Sequence, residues 1–376
     1  MGIYIHIPFC RKACHYCNFH FSTSLKTKSQ FQEALLKEIE LQKDYLEGAP
    51  VNTIYFGGGT PSLMDPTFLK MVLDTIQQYH NIDVNAEVTL EANPDDLSEE
   101  NLISWKSIGI NRLSIGIQSF YEEDLQWMNR AHTASQAITQ LKVALKHFEN
   151  ITIDLIYGTP GLTDEKWKQN VQTAIALKVP HLSCYALTVE PGTALHHFVA
   201  KEKTADVNQD VQAKQFLLLQ EWVEAAGYDC YEISNYALPG KRSQHNSAYW
   251  KNKPYLGLGP SAHSYNQTSR QWNIANNALY IQSIEKGQIP FEKEVLTTAQ
   301  KMNEWIMTSL RTMEGLPIEK IRTTFGIARS AELENNLKPF LQEGLVIQKA
   351  DHYLLTREGR LRADGIAAAC FFDVER

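Results

Sequence analysis

Two hydrophobic periodicities alternate along the first half of the chain. Short runs of β-branched and aromatic residues predict strands, and the segments between them, such as 31–46, 67–79 and 134–148, have the spacing of amphipathic helices. Strands separated by helices of this length form parallel βαβ units, so the pattern predicts an α/β fold with a partial (β/α)6 barrel in residues 1–190. The predicted strands are IYIHI (3–7), NTIYF (52–56), AEVTLE (86–91), RLSIGI (112–117), ITIDLIY (151–157) and HLSCYAL (181–187).

The alternation stops after Leu187, and two further regions follow. A helix at 208–226 precedes a stretch rich in Tyr, Asn, Ser and Gly, which predicts a small extension of loops and short strands over 191–290. Residues 291–376 have helical patterns followed by a short hairpin, LVIQKADHYLLT, and a helix from Arg357. This order predicts a helical, winged-helix-like C-terminal domain.

The charge distribution argues against nucleic acid as a partner. Residues 290–376 carry 12 Lys and Arg against 13 Asp and Glu, so the winged-helix-like domain has no basic surface, and the whole chain has a net charge of −7. No run of about 18 apolar residues predicts a membrane span, and the start of the chain lacks a signal-peptide pattern. We expect a cytoplasmic protein, with peripheral contact with a membrane left open.

Three of the six cysteines fall within eight residues, and the spacing is CxxxCxxC. They are Cys10, Cys14 and Cys17. A zinc site with His15 or His20 as fourth ligand and a [4Fe–4S] cluster with one iron free of protein ligands both fit three thiolates. Covalent c-type haem attachment is excluded because Asn18, not His, follows the third cysteine. The residues alone leave zinc and iron–sulfur open.

The cysteine motif lies directly after the first predicted strand, and GGGTP follows the second. In this arrangement the chain resembles the radical S-adenosylmethionine (SAM) superfamily. The segments YIHIPFC, FGGGTPS, LEANP, SIGIQSF, MNRAH and IDLIYGTP, in this order, resemble its coproporphyrinogen-oxidase-like branch. The resemblance implies a [4Fe–4S] cluster on the three cysteines, whose open iron binds SAM.

The resemblance also implies a set of SAM-pocket residues. Glu91 and Asp154 would accept hydrogen bonds from amino or ribose hydroxyl groups, and Arg130 would pair with the SAM carboxylate. Tyr16 would pack on the adenine. The glycine loop at 57–59 would bring backbone amides close to the methionine end, although such a loop is also typical of a tight strand-to-helix turn. The implied SAM residues are Tyr4, Tyr16, Gly57, Gly58, Thr60, Glu91, Gln118, Arg130 and Asp154.

This branch contains two activities, an oxygen-independent coproporphyrinogen oxidase and a haem chaperone. The oxidases carry a further cysteine where this chain has Phe19, and they have a longer segment before their cysteines than the nine residues found here. The sequence HNSAYW at 245–250 fits the HNxxYW pattern associated with the chaperones. The resemblance therefore favours a haem chaperone that serves haem proteins such as respiratory enzymes, with the oxidase as the alternative.

His245 of HNSAYW is the predicted axial ligand of haem iron, because neutral imidazole is a common haem ligand. Tyr249 and Trp250 would wall the porphyrin, although both are also typical packing aromatics. His263 is a second candidate ligand.

The first 32 residues carry four Lys and Arg and no acid. This asymmetry indicates either a solvated basic loop or a surface, around Arg11 and Lys12, that compensates an anionic cluster or attracts an acidic electron donor.

Overall fold

Six parallel strands form the first part of the molecule, and they confirm the α/β fold. The computed structural model describes residues 1–373, so the last three residues of the predicted C-terminal domain, 374–376, lie outside the described part. The six strands pair with one another in chain order, as successive βαβ units require. They are β1 (Gly2–Ile7), β2 (Val51–Gly58), β3 (Ile82–Ala92), β4 (Arg112–Gln118), β5 (Ile151–Tyr157) and β6 (His181–Ala186).

Helices connect these strands and cover their convex side. Trp105 and Trp167 are fully buried between the helices and the sheet, within one continuous apolar cluster. The helices of this part are α1 (Lys28–Leu41), α2 (Pro66–Tyr79), α3 (Glu99–Ser107), α4 (Glu122–Trp127), α5 (Ala134–His147) and α6 (Asp164–Ala176).

The strands alternate between an apolar outer face and a polar inner face. In β5, Ile151, Ile153 and Leu155 are fully buried in the apolar cluster, whereas Thr152 and Asp154 point into the concave side of the sheet. Because every second residue changes face, the same strands build a hydrophobic core outside and a polar cavity inside.

The extension continues the same sheet at both ends. β9 pairs in parallel with β1, and β8 pairs antiparallel with β6, so the six-stranded part stays an open, partial barrel. The extension contains α7 (Ala194–Ala200), α8 (Gln209–Ala225), β7 (Asp229–Cys230), β8 (Asn235–Ala237), α9 (Gln244–Trp250), β9 (Tyr255–Leu258), β10 (His263–Tyr265), β11 (Ser269–Asn273) and α10 (Asn277–Glu285). β12 (Phe291–Val295), the first element after the predicted boundary at residue 290, pairs antiparallel with β11 and so continues this sheet.

The helix α9 replaces the loop that the composition of this region predicts. Its sequence, QHNSAYW, is capped locally by Ser243, whose side chain accepts a hydrogen bond from the Asn246 N–H at 3.2 Å. Glu87 of β3 supplies a second cap, since its carboxylate accepts the backbone N–H groups of Gln244 and His245, both at 3.0 Å. A distant acid therefore completes a helix that is too short to be recognised from its own sequence.

The C-terminal part has its own apolar cluster, centred on Met302, Ile306 and Leu333. It contacts α9 through Arg311, which lies 5.2 Å from the centre of the Trp250 ring, and the turn after α9 through a hydrogen bond from Asn252 to Thr308. No helix in residues 1–373 is long and apolar enough to cross a membrane. The elements are α11 (Thr298–Leu310), β13 (Leu316–Pro317), α12 (Ile318–Phe325), α13 (Ile327–Gln342), β14 (Val346–Lys349), β15 (His352–Leu355), α14 (Arg357–Leu361) and α15 (Ala363–Ala369).

Candidate functional site

A chamber of about 660 Å³ occupies the concave side of the barrel sheet. Its volume lies in the range of cavities that bury small-molecule ligands. Most residues predicted for the cluster, SAM and haem line this one chamber. They are Tyr4, Cys10, Cys14, Tyr16, Cys17, Gly58, Thr60, Glu91, Gln118, Arg130, Asp154 and His245.

The cysteines lie on a loop between β1 and α1 that closes at its own ends. The Cys10 N–H donates to the Ser22 carbonyl at 3.0 Å, and the Ser22 N–H donates to the Pro8 carbonyl at 2.9 Å. The middle of the loop is held by the turn after α4, where the Asn129 side chain donates to the Ala13 carbonyl at 2.7 Å. The backbone thus presents the three thiols to the chamber, and each is free and partly exposed.

Three thiols at one chamber wall are suitable ligands for a soft metal ion or an iron–sulfur cluster. Burial raises the pKa of Cys10 to about 11, and it also raises the pKa of Cys17, so both are protonated thiols in the metal-free chain. Thiols lose these protons when a metal binds. Within residues 1–373 no three His, Cys, Asp or Glu side chains stand ready at metal-binding distances, so the sulfurs must turn toward a shared point.

The two histidines that could complete a zinc site are engaged elsewhere. His15 Nδ1 is hydrogen-bonded to the Trp127 carbonyl at 2.7 Å, and His20 Nε2 to the Asn277 side chain at 2.7 Å. Neither lines the chamber that the three cysteines share. The arrangement therefore favours a group that needs only three protein ligands.

Arg130 joins the cysteine loop to the strand ends. One guanidinium nitrogen lies 3.2 Å from the Cys14 sulfur, and the other donates to the Asn93 side chain at 2.6 Å and the Gly116 carbonyl at 2.7 Å. Its Nε is buried and has no hydrogen-bond acceptor in residues 1–373. The guanidinium thus keeps an unused donor at the chamber wall, which suits an anionic ligand group.

The glycine loop after β2 is a close-packed cradle. Gly58 has a φ of 107°, and a Cβ there would lie 2.7 Å from the His6 ring. Gly57 does not line the chamber; a Cβ on it would meet Tyr4 and Tyr55 at 2.9 Å. Glycine is required at 58 by backbone conformation and at 57 by the aromatic rings packed beneath it.

Two buried carboxyl groups lie deeper in the chamber. Glu91 accepts the Tyr55 hydroxyl at 2.8 Å and the Gly58 N–H at 3.2 Å. Burial, to which the neighbouring Asp154 adds, raises the pKa of Glu91 to about 8. Burial likewise raises the pKa of Asp154 to about 7, against the opposing effect of Arg130 and Arg112. Both groups are poised to donate or accept a hydrogen bond near neutral pH.

His245 lies at the far end of the chamber and is only 3% exposed. Its Nδ1 is hydrogen-bonded to the Thr53 hydroxyl and its Nε2 to the Tyr249 hydroxyl, both at 2.8 Å. The ring stacks on Tyr55, with centroids 5.0 Å apart. Burial, with a contribution from Arg112, lowers the pKa of His245 to about 3, so the imidazole is neutral. Either nitrogen can bind a metal only after it leaves its present partner.

Two further groups singled out in the sequence, His263 and Arg11, have partners of their own. His263 is exposed on β10, where its ring stacks on Trp272 at 6.0 Å. Arg11 pairs with Asp95 at 2.9 Å and with Asp96, so part of the basic segment is neutralised internally.

Several chamber residues escaped the sequence analysis, which located the site only at the carboxyl ends of the strands. Arg112 and His181 are the first residues of β4 and β6, and they line the deep part of the chamber. A signal for them exists in the alternation of β4, RLSIGIQ, where every second residue from Arg112 is polar or glycine. The further residues are Tyr55, Asn93, Ser114, Thr152, Ser183, Tyr185, Asn235 and Asn246.

Family models match the two ends of the chain. Residues 4–174, which include the cysteine loop and five barrel strands, match the radical SAM superfamily. Residues 296–362 match the HemN C-terminal domain. The fold as a whole resembles coproporphyrinogen III oxidase (HemN) from Escherichia coli, with a TM-score of 0.85 and 23% identity over 98% of this chain and 89% of that one.

Curated relatives match nearly end to end. The heme chaperone HemW of Mycobacterium tuberculosis is 33% identical over 97% of this chain and 93% of its own length. That of Bacillus subtilis is 33% identical over 97% and 98%, and that of Escherichia coli 32% identical over 96% and 95%. At this identity and coverage, the chain belongs to the HemW family within the radical SAM superfamily.

Proposed function

We propose that the protein is a haem chaperone: it binds haem and transfers it to haem-requiring proteins, and it carries a SAM-binding [4Fe–4S] cluster. The observation that carries the proposal is the end-to-end similarity to relatives named heme chaperone HemW. The acceptors would be haem proteins such as respiratory enzymes, reached from the cytoplasm.

Cys10, Cys14 and Cys17 would hold the cluster. When bound, such a cluster supplies an open iron for the amino and carboxylate groups of SAM and a single electron for its cleavage. The loop geometry supports this assignment because all three thiols face the chamber, while His15 and His20 do not. Arg130, 3.2 Å from the Cys14 sulfur, would pair with the SAM carboxylate next to the cluster.

The remaining SAM contacts would come from both walls of the chamber. Glu91 and Asp154 would accept hydrogen bonds from amino and hydroxyl groups of SAM. Burial raises the pKa of both carboxyl groups, whereas these hydrogen bonds would favour the ionised form, so SAM binding would favour loss of their protons. Tyr16 would cover the adenine. Tyr4, Thr60 and Gln118 and the glycine loop at 57–59 would shape the methionine end.

His245 would bind the haem iron through Nε2. Its neutral imidazole supports this role, since a protonated ring has no lone pair for iron. Ligation requires the Tyr249 hydroxyl to release Nε2, so haem loading would include a movement of α9 or of the Tyr249 side chain. His263, exposed and outside the chamber, is the alternative ligand.

The fold similarity to coproporphyrinogen III oxidase supports a second candidate, oxygen-independent coproporphyrinogen dehydrogenase. Phe19, which lies in the cysteine loop with a 66% exposed side chain, argues against it, because the oxidase pattern has a cysteine there.

One experiment separates the two functions. Anaerobically reconstituted protein is titrated with haem and then mixed with apomyoglobin, and a second sample receives coproporphyrinogen, SAM and a reductant. We expect stoichiometric haem binding, transfer to apomyoglobin and no protoporphyrinogen. Repeated turnover to protoporphyrinogen would refute the chaperone proposal and show that the protein is the oxidase.

A further inference from the structure

A second cavity, of about 270 Å³, lies next to the chamber and is also lined by residues of α9. It is bounded by α9, by strands β9 to β11 of the extension and by α11 of the C-terminal part. Tyr249 lines both cavities, so its side chain forms the wall between them. The lining residues are Tyr249, Trp250, Asn252, Lys253, Tyr255, Tyr265, Arg270 and Thr308.

Aromatic rings form most of this wall. The Tyr249 and Tyr255 rings meet edge to face at 4.7 Å, and the Tyr255 and Tyr265 rings are 6.2 Å apart. Trp250 completes the aromatic side. A wall of this kind suits a flat, conjugated ligand, because aromatic faces and edges pack well against a planar π-system.

Positive charge is in excess at this cavity. Lys253 forms no ion pair within residues 1–373. It is close enough to Lys320 that, together with burial, it lowers the pKa of that lysine. Arg270 has one acidic partner, Glu304, at 3.1 Å. The lining contains two cations, Lys253 and Arg270, and no carboxylate. An anionic ligand would supply Lys253 with the counter-charge that it lacks.

Two donors in the wall also lack acceptors. The Arg270 Nε and the Trp250 indole N–H are buried without a hydrogen-bond acceptor in residues 1–373. A buried donor left unpaired destabilises the fold, so a ligand carboxylate toward which these side chains turn would be stabilised by two hydrogen bonds that the protein itself does not satisfy.

We infer that this cavity holds the propionate edge of haem, with Lys253 and Arg270 pairing the two carboxylates and Trp250 and Tyr249 packing on the ring edge. The inference rests on the proposed haem-binding function and adds a location and a charge requirement to it. The cavity is smaller than the roughly 300 Å³ needed to bury a drug-sized ligand. It would therefore hold only the propionate edge of haem, and the iron would lie outside it, beside α9.

The test compares haem with its dimethyl ester, in which both propionates are uncharged. We expect the wild-type protein to bind the diester about tenfold more weakly than haem, because two partly exposed ion pairs are lost. Lys253→Met should weaken haem binding about threefold and leave diester binding unchanged, since only the free carboxylates need the ammonium group. Affinities are read from Soret absorbance titrations.

Lys251→Met is the matched control, because Lys251 is equally exposed two residues earlier and does not line the cavity. It should bind haem as the wild type does. Equal affinity of the wild type for haem and diester, or of Lys253→Met and the wild type for haem, would overturn the propionate assignment and leave haem binding intact. Absence of haem binding by the wild type would overturn the proposed function and this inference together.

Discussion

The two ends of the chamber differ in how far their polar side chains satisfy one another. At the cysteine end, three free thiols are partly exposed, and Cys10 and Cys14 each have one side-chain donor, Thr60 at 3.6 Å and Arg130 at 3.2 Å. At the opposite end, His245 is 3% exposed and both ring nitrogens have partners at 2.8 Å. The first end has spare ligand capacity, whereas the second must open before it can bind anything.

The largest effect is expected at the cysteine end. Replacement of Cys10, Cys14 or Cys17 by Ala should abolish the cluster, because each thiolate would supply the only protein ligand of one iron. Iron and sulfide content after anaerobic reconstitution measures the loss. Cys370→Ala, in the C-terminal apolar cluster, is the control and should keep full content. A full [4Fe–4S] complement in any of the three variants would refute the ligand assignment.

Between the two ends, the buried carboxyl groups predict a pH dependence of stability in the ligand-free protein. Because burial raises the pKa of Glu91 to about 8 from 4.5, the folded chain keeps a proton in this window that the unfolded chain releases. The stabilisation that this retained proton adds to the free energy of unfolding is complete below about pH 4.5 and is lost as the pH rises through 8. Between pH 5 and 8.5 the free energy of unfolding of the wild type should therefore fall by on the order of 3 kcal/mol, and Glu91→Gln should abolish this fall.

Urea unfolding at several pH values measures this fall. Glu149→Gln, at a side chain that is 97% exposed, provides the control and should follow the wild type. An identical pH dependence in Glu91→Gln and the wild type would show that Glu91 is ionised throughout the window.

At the closed end, His245→Ala should lower the free energy of unfolding by about 2–3 kcal/mol, because it removes a buried ring and leaves two hydroxyl groups unpaired. The same change should weaken haem binding if Nε2 is the iron ligand. His263→Ala should cost less than about 1 kcal/mol because that ring is exposed. Unaltered haem spectra in His245→Ala, with altered spectra in His263→Ala, would transfer the ligand role to His263.

Tyr249→Phe separates the structural role of His245 from its ligand role. It removes the hydroxyl that occupies Nε2, so stability should fall by about 1 kcal/mol while haem affinity rises. A fall in both quantities would indicate that the Tyr249 hydroxyl itself binds haem and does not merely occupy Nε2.

The smallest effect is expected at Phe19, whose side chain is 66% exposed. Phe19→Cys restores the cysteine of the oxidase pattern, but it should change stability by less than about 0.5 kcal/mol and leave cluster content unchanged. Phe19→Ser is the matched control for the loss of the ring. Coproporphyrinogen turnover that is gained by the Cys variant alone would show that this position separates the two activities.

The sequence predicted the barrel because its signals are local. Strand β5 begins and ends as predicted, since an apolar, β-branched run fills its outer face. Strand β3 begins four residues earlier than predicted, because Ile82 already pairs with Val51 of β2 although none of residues 82–85 is buried. Local signals cannot predict contacts between distant parts of the chain. The N-terminus of α9 is capped by Glu87, and β9 pairs with β1; both contacts span more than 150 residues.

Chamber residues were predicted where a short motif or a strand end marked them. Those that only the strand alternation marks were missed. The cysteine loop and the glycine loop carry short motifs, and the chamber contains both. Arg112 and His181 lie at the start of their strands, where polar residues are usually solvent-exposed. Only a comparison of odd and even positions across several strands could have placed them inside.

The position of β1 in the sheet has a consequence for synthesis of the chain. β1 pairs with β2 on one side and with residues 255–258 on the other. At 5–20 residues per second, about 10–40 s separate the emergence of these two neighbours from the ribosome. Through that interval the strand that carries the cysteine loop has one open edge. We expect the loop to reach its final anchorage, and iron to be inserted, only after residue 258 has been made.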